Sequence, residues 1–306
     1  MQMDNEQVSL NKYISSSGFC SRREADKLIE QARVTINGEL VLISAKVSPG
    51  DKVEVDGEPI KSSSKKRPIY IAFNKPQGVT STTDIKDKSN IIYFIGYPKR
   101  IFPIGRLDKD SDGLIFLTND GDIVNKILRA SNFHEKEYIV TVDKAITPEF
   151  IRLMSNGVPV QGTMTRKCFV RQEGGRRFRI ILTQGLNRQI RRMCEYLGYT
   201  VVGLTRVRIM NIQLGNLPVG KWRYFTGPEI DKLNEMVAES NKTETAADKV
   251  KEKNKPKDGA VIQYIPKKKP KADPDSYQEE KSKSENKKPK AASKYSEFRK
   301  RGSKRG

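Results

Sequence analysis

Apolar residues first fall at helical spacing at Leu10, Tyr13 and Ile14, and again at Ala25, Leu28 and Ile29, with a break at Gly18 between the two runs. The second run opens on Ser21-Arg22-Arg23-Glu24, a capping box in which the serine hydroxyl accepts from an early backbone N–H while the glutamate reaches back. Val34-Thr35-Ile36 then runs into Asn37-Gly38, a dipeptide whose tolerance of positive φ suits a two-residue hairpin. Val53-Glu54-Val55 follows the Pro49-Gly50 turn. The pattern predicts a self-contained αα-hairpin with a small β ribbon over 8–61, joined by a Ser/Lys linker, 62–68, to a second domain.

From residue 69 onward, strand-like runs recur at 69–73, 114–118, 138–142, 178–182 and 204–214, and helical stretches alternate with them. Thr147 is placed to cap a helix with Pro148 at its first position and Gly157 at its end. A second helix, 186–197, is closed by Gly198; it puts Ile190, Met193, Cys194 and Leu197 on its buried face and starts with Arg188, Arg191 and Arg192. Cations at that end oppose the helix dipole, so they call for a ligand or a carboxylate partner unless they form a merely basic face. The fold class expected is α+β: an αα-hairpin/β module, then a domain over 69–238 on a largely antiparallel mixed sheet.

Charge changes the picture at residue 239. The chain is 306 residues long with 58 Lys plus Arg against 37 Asp plus Glu, a net charge of +21. Residues 239–306 carry 21 basic and 11 acidic residues, and only Val250, Val261, Ile262, Ile265 and Phe298 among Leu, Ile, Val and Phe. So few apolar side chains do not offset ordering entropy, and a disordered Lys-rich tail is expected there. The first 238 residues keep 37 basic against 26 acidic residues, so the folded part is basic in its own right. A polyanion, RNA ahead of DNA, is the expected partner. Lys12, Arg22, Arg23 and Lys27 cluster at the first helix junction and are the candidate RNA contacts.

Other classes drop out. The Cys and His residues, Cys20, His134, Cys168 and Cys194, are too few and too scattered for structural zinc, and no Gly-x-Ser-x-Gly segment supports a hydrolase. No apolar run reaches membrane-span length and no signal peptide is legible, so a soluble, cytoplasmic protein with reduced thiols is expected. Without heptads, a monomer is the expectation.

The segment Gly105-Arg106-Leu107-Asp108-Lys109-Asp110-Ser111-Asp112-Gly113-Leu114 is the most informative. Its alternating aspartates imitate a calcium loop, but position 12 counted from Asp108 is Asn119 instead of the closing glutamate. Residues 8–61 resemble the S4 RNA-binding domain, through Leu10-Asn11-Lys12-Tyr13-Ile14, Gly18 to Ala25 and Val34 to Gly38. Arg106-Leu107-Asp108 with Ser111, Gly113 and Leu114 resembles the catalytic motif of the pseudouridine synthases of the RsuA/RluB/RluE/RluF group. Lys75-Pro76-Gln77-Gly78, Lys136-Glu137-Tyr138 and Gly185 to Met193 resemble that family's other motifs, in order. Asn125 to Ala130 with His134 to Tyr138 most resembles the RluF branch.

The resemblance implies isomerisation of a uridine in 23S ribosomal RNA, with transfer RNA as a further candidate substrate and neither metal nor redox cofactor. Asp108 takes the part of the catalytic carboxylate, either as nucleophile at C1′ or as base at C2′. Arg191 would hold it through its planar fork, and Tyr138 would stack on the uracil and handle the C5 proton. Arg106, Arg188 and Arg192 are candidate substrate contacts, whereas Lys75 and Pro76 read as loop scaffolding. His134 and the cysteines are assigned no chemistry. Competing readings are a non-catalytic RNA-binding or ribosome-assembly protein, a paralogous synthase with another target uridine, and a DNA-binding protein, which lacks any known base-reading motif here.

Overall fold

In the computed structural model the described residues are 7–60, 68–238 and 240. The expected linker, apart from Pro68, and the expected tail, apart from Ser240, lie outside them. The N-terminal module opens with α1 (Leu10–Ser16), which buries Leu10 and Ile14 one turn apart, and α2 (Arg22–Glu30), which buries Ala25 and Ile29. The capping box forms as expected: Glu24 N–H donates to Ser21 Oγ at 3.2 Å, and Ser21 N–H donates to the Glu24 carboxylate at 2.7 Å. Asn37 and Gly38 both take positive φ, +53° and +87°, in the hairpin that joins Val34–Ile36 to Glu39–Leu40. Val53–Val55 pairs on the other side of Val34–Ile36, and the two helices close over the ribbon around Val34, Val47, Val53 and Val55.

The second domain is built on one nine-stranded sheet. Its strands are β1 (Tyr70–Lys75), β2 (Phe102–Ile104), β3 (Asp112–Thr118), β4 (Lys136–Val142), β5 (Phe169–Gly174), β6 (Arg177–Leu182), β7 (Val201–Ile209), β8 (Ile212–Gln213) and β9 (Trp222–Tyr224). The order is β5-β6-β4-β7-β3-β1-β9, with β8 paired to β7 and β2 paired to β3; only β7 and β3 run parallel. The mixed, largely antiparallel sheet is the one expected.

Helices α3 (Ile91–Ile95), α4 (Gly121–Leu128), α5 (Pro148–Asn156), α6 (Gln189–Tyr196) and α7 (Gly227–Ala238) pack on it. All six residues of β1 are buried because both sheet faces are covered there, which is why this strand reads as a near-continuous apolar run. Tyr70 and Ala72 meet α4 and α7 on one face; Ile71 and Phe73 meet α3 and Leu107 on the other. A separate core under β4, β6 and β7 takes in Phe150 and Met154 of α5 and Ile190, Met193 and Cys194 of α6.

The two halves of the sheet join through a very short contact. β7 meets β3 only at Thr205 to Asp112 and Arg206 to Gly113, after which the same edge of β3 pairs with β2 at 116–118. The sheet therefore divides at the start of β3, and the opening lies between β2 and β3 on one side and β4 and β7 on the other.

Two expected elements differ. The run 204–214 is two strands, because Met210 adopts φ +51° and turns the chain from β7 into β8. The helix expected over 186–197 begins only at Gln189, because Arg188 sits in the left-handed region at φ +49° and the Leu186 N–H donates to the Gln189 side chain at 3.0 Å. Thr147, Pro148 and Gly157 bound α5 as expected.

Candidate active site

The connection from β2 to β3 carries Arg106 to Ser111 across the opening of the sheet, and each position is fixed by a local cause. A Cβ on Gly105, at φ +79°, would stand 2.8 Å from a methyl of Leu128. Leu107 is buried in the core, and its backbone is held twice by one side chain: its N–H donates to Ser81 Oγ at 3.1 Å, and Ser81 Oγ donates to its carbonyl at 2.9 Å. Asp108 follows directly, and its carbonyl accepts from Ser111 N–H at 3.1 Å, closing the turn. Gly78 N–H donates to the Lys109 carbonyl at 2.8 Å, which ties the 75–78 segment to this loop. Gly113 is required by contact as well as conformation: at φ +100°, its Cβ would lie 2.3 Å from the Arg206 carbonyl, where β3 and β7 run closest.

The Asp108 side chain is 29% exposed, and its Oδ2 stands 3.5 Å from Arg188 Nη1 and 3.9 Å from Arg191 Nε. Arg191 is almost wholly enclosed. Its Nη1 donates to the Val201 carbonyl at 3.2 Å, and its Nη2 donates to the Asp110 carbonyl at 2.9 Å and to Ser111 Oγ at 3.1 Å. Its Nε has no hydrogen-bond partner among the described residues. The bidentate grip expected of Arg191 on Asp108 is therefore made elsewhere. Arg188 makes one, to Asp110, at 3.1 Å through each nitrogen. That contact holds the Asp110 carboxyl below the usual carboxylate range, with desolvation opposing and Arg191 assisting.

Behind Asp108 the divided sheet encloses a cavity of about 430 Å³, a size suited to a small ligand. Arg106, Asp108 and Arg188 stand at its mouth, and its walls include Ile104, Phe116, Ile127, Leu182, Leu204 and Ile209. Tyr138 lines it from β4, opposite Arg206 on β7, whose guanidinium carbon is 6.0 Å from the tyrosine ring centroid. Lys136 and Arg206 line its deeper part, 9% and 4% exposed. Burial, reinforced by Arg206, pushes the Lys136 ammonium down to about 8. Lys75, fully buried under the loop, is also pushed down to about 8 by burial, and it donates to the carbonyls of Pro76 and Val79.

Asp108, Tyr138, Arg106 and Arg188 are thus brought together around one cavity, while Arg191 supports the 108–111 turn from outside the lining, 3.9 Å from Asp108. Arg192 is not; its guanidinium donates to Asn187 Oδ1 at 3.1 Å, and the residue lies outside the cavity lining. Of the candidate RNA contacts, Arg22, Arg23 and Lys27 are exposed on α2, whereas Lys12 pairs with Asp122 on α4 at 2.9 Å. Sequence reasoning missed Arg206, Lys136 and Ser81. The available signal was an arginine flanked by Leu204 and Val207 in the strand-like run 204–214 and a lysine opening β4; Ser81 gave none.

Among the described residues no group of His, Cys, Asp or Glu could hold a metal ion, and no helix is long and apolar enough to cross a membrane. His134 is buried, with Nε2 2.9 Å from Ser240 Oγ, and Cys194 packs in the core.

Residues 69–196 match the RNA pseudouridylate synthase family and residues 8–53 match the S4 domain. The dual-specificity RNA pseudouridine synthase RluF of Escherichia coli strain K12 is 54% identical over 259 residues, which span 85% of this chain and 88% of that protein. The ribosomal large subunit pseudouridine synthase B of Bacillus subtilis is 32% identical over 237 residues, 74% of this chain and 96% of that one. A crystal structure of a pseudouridylate synthase superposes with a TM-score of 0.55 at 30% identity, covering 74% of this chain and 99% of the other.

Proposed function

Because this chain belongs to the RNA pseudouridine synthase family, we propose that it isomerises a specific uridine of 23S ribosomal RNA to pseudouridine, with Asp108 as the essential carboxylate. The observation that carries this reading is the position of Asp108: at the mouth of a cavity of about 430 Å³, beside two guanidinium groups and across from Tyr138. The ribosomal target is supported by the 32% identity to an enzyme named for the ribosomal large subunit, and the 54% identity to RluF supports the RluF branch. The dual-specificity name of that relative supports a second RNA, for which transfer RNA is the candidate.

The chemistry follows from the cavity. C1′ and C5 of a stacked uridine are out of reach, so the nucleotide flips into the opening at an unstacking cost of a few kcal/mol. Phosphate contacts offset that cost, and the exposed Arg106 and Arg188 at the mouth, with Arg22, Arg23 and Lys27 of the S4 domain, supply cations for them. Arg188 pairs with Asp110 but stands at the mouth, whereas Arg192 and Lys12, engaged by Asn187 and Asp122 and outside the cavity lining, have a weaker case as direct contacts. Asp108 attacks C1′ or removes the C2′ proton; the C1′–N1 bond breaks, the uracil turns, C5 joins C1′, and the C5 proton is lost. Tyr138 stacks on the ring and carries that proton away, and Arg191 holds the turn that carries Asp108 in place. The reaction adds no atoms and transfers no electrons to an acceptor, so it calls for neither metal nor redox cofactor. The enzyme works as a cytoplasmic monomer whose domains run over 8–61 and 69–238.

Mapping pseudouridine in 23S ribosomal and transfer RNA incubated with the purified protein tests this reading. One modified uridine in 23S ribosomal RNA is expected. Tight binding with no modified position in either RNA would leave a non-catalytic RNA-binding protein instead.

A further inference from the structure

Six cations surround the cavity or underlie its loop: Arg106 stands exposed at the mouth, and three others have evident partners. Arg188 and Arg191 are tied to Asp110, and Lys75 donates to two backbone carbonyls under the loop within the field of the Asp112, Asp108 and Asp110 carboxylates. Arg206 and Lys136 have no such neutralisation. Arg206, 4% exposed, spends its Nε on the Leu114 carbonyl at 2.7 Å, and its Nη2 is buried with no partner among the described residues. Lys136 donates to the His134 carbonyl at 3.1 Å, leaving two of its three ammonium hydrogens for other acceptors. The charge felt most by its ammonium is the like charge of Arg206.

Burying two cations side by side without an anion is costly, and an orphaned guanidinium N–H adds to that cost. An arrangement that persists at such a cost marks where a negative charge arrives. A backbone phosphate finds its cations elsewhere: Arg106 and Arg188 stand exposed at the mouth, whereas Lys136 and Arg206 are buried. Of the parts of a flipped nucleotide, the flat base is the one that suits the apolar walls Leu182, Leu204 and Ile209 beside these two cations. Uracil enters neutral. When the C1′–N1 bond breaks, its electron pair stays with the ring and spreads onto the carbonyl oxygens. The same pair then forms the C5–C1′ bond, and the C5 proton leaves to a base. Both routes open to Asp108 pass through this ring anion.

We propose that Lys136 and Arg206 are catalytic residues that contact the uracil ring at the inner end of the cavity and stabilise the negative charge it carries while the glycosidic bond is open. This rests on the pseudouridine synthase reading of the cavity. Preorganised donors of this kind act where charge develops, and loss of one typically costs about 10² to 10³ in rate.

The test compares single-turnover consumption of the target nucleoside by the full-length wild type, Lys136→Met and Arg206→Lys. The substrates are 23S-derived RNA carrying uridine or 5-fluorouridine at the target position, and RNA affinity and circular dichroism are measured in parallel. With uridine, Lys136→Met should be slower by about 10²-fold while its RNA Kd stays within about twofold. With 5-fluorouridine, whose fluorine already stabilises the ring anion, the deficit should shrink to about tenfold or less. Arg206→Lys keeps the charge but removes the outer nitrogen; it should show the same substrate dependence and serves where Lys136→Met fails to fold. An equal deficit on both substrates would reduce the pair to positioning residues and overturn the proposal, as would no deficit in a folded variant. A wild type that consumes neither substrate would instead remove the enzymatic reading and this proposal with it.

Discussion

Nε of Arg191 lies 3.9 Å from Oδ2 of Asp108, beyond hydrogen-bond reach, while both Nη groups of the same side chain are committed to Val201, Asp110 and Ser111. Arg191 therefore acts first as a stitch that fixes α6, β7 and the catalytic turn to one another, and only its unpartnered Nε faces the carboxylate. Arg191→Lys places one nitrogen where two made three hydrogen bonds. It should lose about 2 kcal/mol of stability through lost charged hydrogen bonds and about 10²-fold in kcat through a displaced Asp108. Thermal unfolding and single-turnover rates check the two effects separately.

Gly113 admits no side chain. A Cβ there would meet the Arg206 carbonyl at 2.3 Å with φ at +100°, and both clashing partners are backbone in adjacent strands. Gly113→Ala should destabilise the protein by about 4 kcal/mol or more, the range of overpacking combined with backbone strain. Denaturant unfolding measures it; a loss under about 1 kcal/mol would mean that β3 and β7 separate easily.

Several local signals were legible in the sequence. The Ser21/Glu24 box, the Asn37-Gly38 turn and the Thr147-Pro148 start each depend on residues within a turn of one another, and each appears in the structure. The five apolar runs of the second domain all fall on strands, whereas Phe102–Ile104, Phe169–Gly174 and Trp222–Tyr224, short or largely exposed, were not legible. What was not legible depends on partners far along the chain. Arg188 leaves the helix and takes φ +49° while its guanidinium grips Asp110, 78 residues away. Lys12 pairs with Asp122, 110 residues away, so a cation assigned to RNA is engaged by the second domain. Arg206 is buried because Leu114 offers it a carbonyl across a two-residue parallel contact that no periodicity announces. The Asp108 segment was prominent because its glycines and carboxylates stand together in sequence, but the cavity behind it is assembled from five strands and loops.

Arg188 separates strain from function. Its left-handed backbone costs about 1 kcal/mol, and its exposed ion pair with Asp110 returns about the same. Arg188→Gly removes both, so stability should stay within about 1 kcal/mol of wild type while turnover falls by about tenfold or more through loss of a cation at the mouth. A large loss of stability on thermal unfolding would show that the pairing also organises the loop.

Acid should unfold the protein through a defined set of carboxylates. Hydrogen bonds from Ser89 and Thr80 hold Asp87 at about 2, and arginine contacts hold Asp110, Glu137 and Glu229 below their ordinary values. The folded state therefore binds fewer protons than the unfolded chain below the usual carboxylate range. The stability these groups contribute is complete above about pH 4 to 5 and is lost as pH falls toward their folded values. Denaturant midpoints taken from pH 6 to pH 2 should fall steadily over that interval; Asp87→Asn should flatten the part nearest pH 2 to 3.

The most direct measurement is tritium release from 23S ribosomal RNA labelled at uridine C5, comparing wild type with Asp108→Asn without added metal or cofactor. The amide keeps the size of the side chain and removes its charge, so folding and RNA affinity should persist while release falls to background. Release from Asp108→Asn equal to that from wild type would show that Asp108 is not the catalytic carboxylate and that the chemistry assigned to this cavity is wrong.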